Sequence, residues 1–234
     1  MRVEGVHHHR DVQDGTLRAA VFGISDGLVS NVALILGIAG ASTNPSIVRV
    51  AGISGLLAGA VSMAAGEYVS LRAQKELVER ELIIEQESIE ENFKAETAEL
   101  VAIFEERGVD SDLAEEVVKQ IMSNPDIALD VHIREELGVN PSQLGDPLRA
   151  ALSSFISFAF GAFVPIVPWL IGGGNSAVLI SAISGVTATA MVGMVLAVLS
   201  ERSLLRTSLR QMLIAIGACS VTYLIGSLLG TSIG

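Results

Sequence analysis

Five stretches of this chain, 17–41, 47–70, 148–171, 177–199 and 209–233, run apolar with only a few ionisable residues. About 20 apolar residues in a helix cross a bilayer, and a helix satisfies its own backbone hydrogen bonds in lipid. No other feature of the sequence limits the fold so tightly. The first stretch is not a signal peptide: it is too long, a polar segment with three histidines precedes it, and no cleavage pattern follows.

The remaining charge is segregated. Between Arg72 and Arg149 the chain carries 20 acids and 8 bases, whereas the other 156 residues carry 6 acids and 7 bases. With 50% apolar residues, 18% charged residues and a mean hydropathy of +0.54, the body is too apolar for a soluble domain, which carries about 25% charge. The net charge of −11 therefore belongs to one acidic insert. A secreted disulfide scaffold, a nucleic-acid binder and a conventional soluble enzyme are excluded, and the single Cys219 has no intrachain partner. The expected class is an all-α integral membrane protein. It comprises a tail (1–16), helices one and two (17–70), a cytoplasmic helical metal-binding domain (71–146) and helices three to five (147–234).

Arginine and lysine set the direction. Arg2, Arg10 and Arg18 precede span one; Arg72, Lys75 and Arg80 follow span two; Arg202, Arg206 and Arg210 lie at the junction of spans four and five. The opposite connections carry only Arg49. The N-terminus and the insert are thus expected in the cytoplasm and the C-terminus on the far side. Gly55/Gly59 and Gly226/Gly230 have GxxxG spacing, which allows close helix packing in lipid.

No glycine or proline occurs between Gly66 and Gly108, so span two is expected to continue as one helix through 67–94. Shorter helices are expected over 97–107, 112–122 and 126–137, with Asp110 or Ser111 capping the second and Gly108 and Gly138 as stops. At 100° per residue, Glu76, Glu79, Glu87 and Glu90 share an arc of about 80°, with Glu81 and Glu85 opposite. Like charges so placed repel. The stripe reads either as a solvated acidic face or as a set of hard oxygen ligands for divalent cations. His132 with Glu135 and Glu136 one turn on reads as a surface histidine or as a transition-metal ligand pair. There is no Glu-x-x-His, which argues against a ferritin-like di-iron oxidase.

Ionisable groups inside spans are costly and mark sites. Asp26 lies eight residues beyond Arg18, about 12 Å of helix. Span two runs the other way, and Met63 lies nine residues before Arg72, so the two are expected at similar depth. Glu67 follows Met63 by one turn. A carboxylate, a thioether and a second carboxylate would line a descending path, and sulfur favours softer transition metals over Mg²⁺ or Ca²⁺. Packing for Met63 and a structural hydrogen bond for Asp26 are the alternatives. His7, His8 and His9 read as a weak metal-binding run or as incidental.

The segments Phe22-Gly23-Ile24-Ser25-Asp26-Gly27-Leu28-Val29-Ser30-Asn31 and Ser62-Met63-Ala64-Ala65-Gly66-Glu67-Tyr68-Val69-Ser70 resemble the vacuolar iron transporter family, over nearly the whole chain. The resemblance implies a homodimer that exports ferrous iron from the cytoplasm against inward proton movement, along a path between the subunits. By motif position it assigns Asp26 and Met63 to the membrane metal site. It assigns Glu76, Glu79, Glu87 and Glu90, at spacings of three, eight and three, and Glu136 before Leu-Gly to the insert. Where plant-type members carry two methionines, this chain has His132 and Ile133. A nitrogen ligand would then replace sulfur, and manganese, cobalt or zinc would compete better with iron. The expected partners are divalent metal ions, protons, the lipid bilayer and a second copy of the chain, with no nucleic acid and no prosthetic group. The alternative is a membrane-anchored metal sensor or storage scaffold, for which a mid-membrane Asp26 has no use. No nucleophile–base pair, phosphate loop or redox cysteine pair suggests an enzyme. Without a targeting extension, a bacterial plasma membrane is expected rather than a vacuolar one.

Overall fold

The computed structural model describes residues 15–136, 138, 140 and 144–233. His7, His8, His9, Arg2 and Arg10 lie outside the described residues. All regular elements among them are helical: α1 (Gly15–Ala41), α2 (Pro45–Glu91), α3 (Phe93–Glu106), α4 (Ser111–Ile121), α5 (Pro125–Glu136), α6 (Pro147–Phe163), α7 (Val167–Ile171), α8 (Gly174–Leu199) and α9 (Leu204–Ile233). Among the described residues, five helical segments are long and apolar enough to cross a membrane: Ala19–Ala41, Pro45–Glu91, Pro147–Ile171, Gly174–Leu199 and Leu204–Gly230. The chain divides into two compact units, one of residues 1–69 with 145–234 and one of residues 70–144.

In the first unit α1 is the central helix, packed on α6, α8 and α9. Glycines make that possible. A Cβ on Gly27 would strike the Phe158 carbonyl, and one on Gly161 would strike the Ile24 carbonyl. The α1–α6 crossing therefore brings backbone against backbone, the packing that small residues permit in lipid. Gly226 and Gly230 face Gly37 and Ala41 of α1, while Gly55 and Gly59 face Asn31, Leu34 and Phe158, so both GxxxG pairs serve contacts within the chain. Gly27→Val is expected to cost at least 1–3 kcal/mol, roughly the penalty of overpacking. The check is loss of the monodisperse peak after detergent extraction.

The third span is not the unbroken helix expected over 148–171. A 3-10 turn, Val164–Ile166, separates α6 from α7. Pro165 and Pro168 have no N–H to give the preceding turn, which shifts the hydrogen-bond register. Near that turn the carbonyl of Ala162 accepts from the side-chain amide of Asn31, at 2.6 Å.

In the second unit, Ile89 of α2, Leu100 of α3, Val118 of α4, Met122 and Ala128 of α5 form the core. The long helix stops at Glu91, short of the expected Lys94. Asn92 leaves helical geometry at φ −123° and ψ 33°, and its carbonyl accepts from the Ala95 and Glu96 N–H groups that open α3. Gly108 at φ +90° follows α3, a backbone geometry that suits glycine. Asp110 caps α4, its carboxylate accepting from the Asp112 N–H at 3.2 Å.

Candidate metal centres

The break at Asn92 folds α3 back beside the end of α2, and α5 closes over both through His132 and Ile133, which are 0% and 1% exposed. Four side chains from three helices then converge: Glu85 (α2), Glu96 (α3), and His132 and Glu136 (α5), whose ligand atoms all lie within 4.8 Å of one another. Nδ1 of His132 stands 2.9 Å from Glu136 Oε1, 3.2 Å from Glu85 Oε1 and 4.0 Å from Glu96 Oε2. Ser88 Oγ donates to Glu96 Oε1 at 2.5 Å and holds that carboxylate.

The electrostatics of this cluster are unbalanced. One imidazole nitrogen carries at most one proton, yet three carboxylates face it. Arg107, the nearby cation, pairs with Glu135 instead. Among the described residues no lysine or arginine pairs with Glu85, Glu96 or Glu136. Burial raises the Glu85 pKa above the ordinary carboxylate range; Glu136 raises it further, His132 opposes the rise, and Glu96 and Glu99 add to it. A divalent cation among one nitrogen and three oxygens would relieve the repulsion, and that donor set suits first-row ions.

Glu85 has a raised folded-state pKa, so its contribution to stability is present at low pH and is lost as pH rises through that pKa. The metal-free insert is therefore expected to resist proteolysis better at mildly acidic pH than at neutrality. Added Mn²⁺ should reverse the order, because binding requires the ionised carboxylates. A protease-resistance profile across pH, with and without Mn²⁺, checks both signs.

Of the insert residues singled out in the sequence, the structure brings His132 and Glu136 together. Glu76 pairs with Arg72 at 2.7 Å, Glu90 accepts from Gln86 at 3.2 Å, and Glu79 and Glu87 are exposed; none joins the cluster. Glu85 belongs to the face opposite that arc, and Glu96 to no motif of the sequence. Their signal lies in the apolar stripes: Glu85 falls in register with Val78, Leu82 and Ile89, and Glu96 one turn before buried Leu100. An acid inside a buried stripe is the informative exception.

In the first unit, Asp26 and Met63 line one cavity of about 350 Å³, together with Ser30, Asn31, Gly55 and Ser62; the Phe158 ring forms part of its wall. Asp26 also faces a recess of about 310 Å³ with Ser25 and Gln211. Glu67, half-buried one turn beyond Met63, is not on the lining of either. The cavity thus offers a carboxylate, a thioether, hydroxyls and an amide, a mixed hard and soft donor set. A larger apolar groove of about 640 Å³ between α1, α6 and α8 has only Ser184 and Thr187 as polar side chains.

The sequence model of the VIT family matches residues 17–227. The chain is 35% identical to vacuolar iron transporter 1 of Arabidopsis thaliana over 158 residues, 66% of this chain and 62% of that protein. It is 37% identical to the vacuolar iron transporter of Acanthamoeba castellanii over 153 residues, 65% of this chain and 55% of that protein. It is 33% identical to vacuolar iron transporter 1 of Oryza sativa subsp. japonica over 191 residues, 80% of this chain and 75% of that protein. The matches thus span less than two thirds of the Arabidopsis and Acanthamoeba proteins.

Proposed function

The chain belongs to the VIT family, and from that membership we propose that it moves divalent transition-metal ions, ferrous iron foremost, across a membrane. The observation that carries the reading is the shared cavity of Asp26 and Met63. A carboxylate inside an apolar helix is costly, and here it sits with a thioether from a second helix, in a space large enough for an ion. A storage scaffold needs no such pair.

The substrate leaves the cytoplasm in this proposal. Arg72, Lys75, Arg80, Arg202, Arg206 and Arg210 put the insert and the N-terminus on the cytoplasmic side by the positive-inside rule. The His132 cluster then captures ions from that side, and the exposed Glu76, Glu79, Glu87 and Glu90 add a negative field that draws cations in. Glu67, one turn from Met63 on α2, is assigned to the inner approach. Carboxylates and imidazole release protons when they bind metal, which supports proton exchange during the cycle. The imidazole nitrogen of His132 admits manganese, cobalt and zinc alongside iron. The family resemblance supports a homodimer. In this reading the ion is cargo and no prosthetic group takes part.

The test is Fe²⁺ uptake into proteoliposomes with and without a pH gradient. Gradient-dependent accumulation is the expected result. Binding that saturates at the protein's ligand content, with no accumulation in the lumen, would favour the scaffold.

A further inference from the structure

Asn31 is 2% exposed, and the structure gives its side chain one orientation. Its Nδ2 donates to the Ala162 carbonyl at 2.6 Å. A carbonyl only accepts, so the amide cannot be turned round. Ala162 lies in the last turn of α6, and Pro165, one 3-10 step on, has no N–H to offer its carbonyl. What remains is Oδ1, buried and without a hydrogen-bond partner among the described residues. A buried acceptor left unpaired is unfavourable. This one lies on the cavity that Asp26 and Met63 line.

Gly55 opens the way to it. A Cβ there would stand 2.8 Å from Asn31 Oδ1 and would strike the Leu34 side chain. Leu34 is partly exposed and its end can turn aside. Asn31 is held by Ala162 and cannot. With no side chain at position 55, no carbon of α2 stands against that oxygen.

We infer that Asn31 Oδ1 is a neutral oxygen ligand of the membrane cation site, acting with the Asp26 carboxylate and the Met63 thioether and biasing that site toward harder divalent ions. The inference rests on the proposed role of Asp26 and Met63. An amide oxygen suits Mn²⁺, whereas thioether sulfur suits Zn²⁺ better. Removing the amide oxygen should therefore weaken Mn²⁺ more than Zn²⁺. A purely structural role for Asn31 would weaken all ions alike.

The experiment is competition by Mn²⁺ and by Zn²⁺ against Fe²⁺ uptake in reconstituted vesicles, for wild type, Asn31→Leu and Gly55→Ala, with Asp26→Ala as control. Gly55→Ala removes neither partner of the Asn31–Ala162 bond and sets a methyl group against Oδ1 and the end of Leu34, so it serves even where Asn31→Leu fails to fold. The expected result for either variant is about a tenfold or greater rise in the Mn²⁺ concentration needed for half-inhibition, with a smaller rise for Zn²⁺. An unchanged Mn²⁺ to Zn²⁺ ratio in Gly55→Ala overturns the inference, whether flux is normal or uniformly reduced, and points to a water as the partner of Oδ1. Loss of flux in Asp26→Ala alongside that unchanged ratio would sink the Asn31 assignment alone. Full flux in Asp26→Ala would sink the underlying reading as well.

Discussion

Asp26→Ala is expected to lower metal flux in reconstituted vesicles by at least ~100-fold, while the protein still elutes as a folded, monodisperse species. The floor is set by comparison: removing a group that merely supports a metal ligand costs about 10–100-fold in affinity or activity, and Asp26 is proposed as a ligand. Among the described residues it is also the only charged one on the cavity lining, so its loss leaves neutral donors to strip water from a divalent cation. Fold is expected to survive because Asp26 is exposed and Ser30 Oγ bonds to its backbone carbonyl, which the substitution keeps. Met63→Ala should also lower flux, but it trims a side chain packed against Ala60, Phe158 and Ala162, so its yield must be compared first. Near-normal flux in Asp26→Ala would remove the residue from the mechanism.

The second large effect belongs to the insert. Replacing Glu85, Glu96 and Glu136 together with glutamine keeps their size and takes away the three carboxylates that face His132. Metal affinity of the insert should fall by about 100-fold or more. Flux should fall most at low metal concentration and recover as metal is raised, since Asp26 and Met63 are untouched. Glutamines at Glu76, Glu79, Glu87 and Glu90 should do less, and their effect should fade with added salt, because exposed charges act through a screened field. A flux titration over metal concentration separates the two sets. A uniform loss at every concentration in the triple variant would assign the cluster to assembly or gating rather than capture.

The spans could be read from length and hydropathy, because lipid leaves a chain few solutions. That Asp26 and Met63 come to one cavity could be anticipated too, since the rise of a helix is constant and the two helices run in opposite directions. The break at Asn92 and the 3-10 turn at Val164–Ile166 depend on how neighbouring turns are satisfied, and Pro165 alone does not say whether a helix kinks or continues. The cluster was hardest. A wheel drawn on one helix counts acids and finds the arc of Glu76, Glu79, Glu87 and Glu90, but it cannot see which face turns inward. Glu85 shares the buried stripe of Val78 and Ile89, and its partners Glu96, His132 and Glu136 come from two other helices. That juxtaposition is tertiary. Asn31 was legible only as a polar residue in a span; its orientation comes from Ala162, 131 positions away.

The account stands on two metal sites, one in each unit of the chain. An anomalous-scattering map of crystals soaked in Mn²⁺ tests it most directly. The predicted result is one peak within about 2.0–2.3 Å of His132 Nδ1 and carboxylate oxygens of Glu85, Glu96 or Glu136, near the usual metal–nitrogen and metal–oxygen lengths, and a second peak in the cavity between Asp26 and Met63. Peaks confined to the exposed stripe of Glu76, Glu79, Glu87 and Glu90, with both of those places empty at saturating metal, would contradict it.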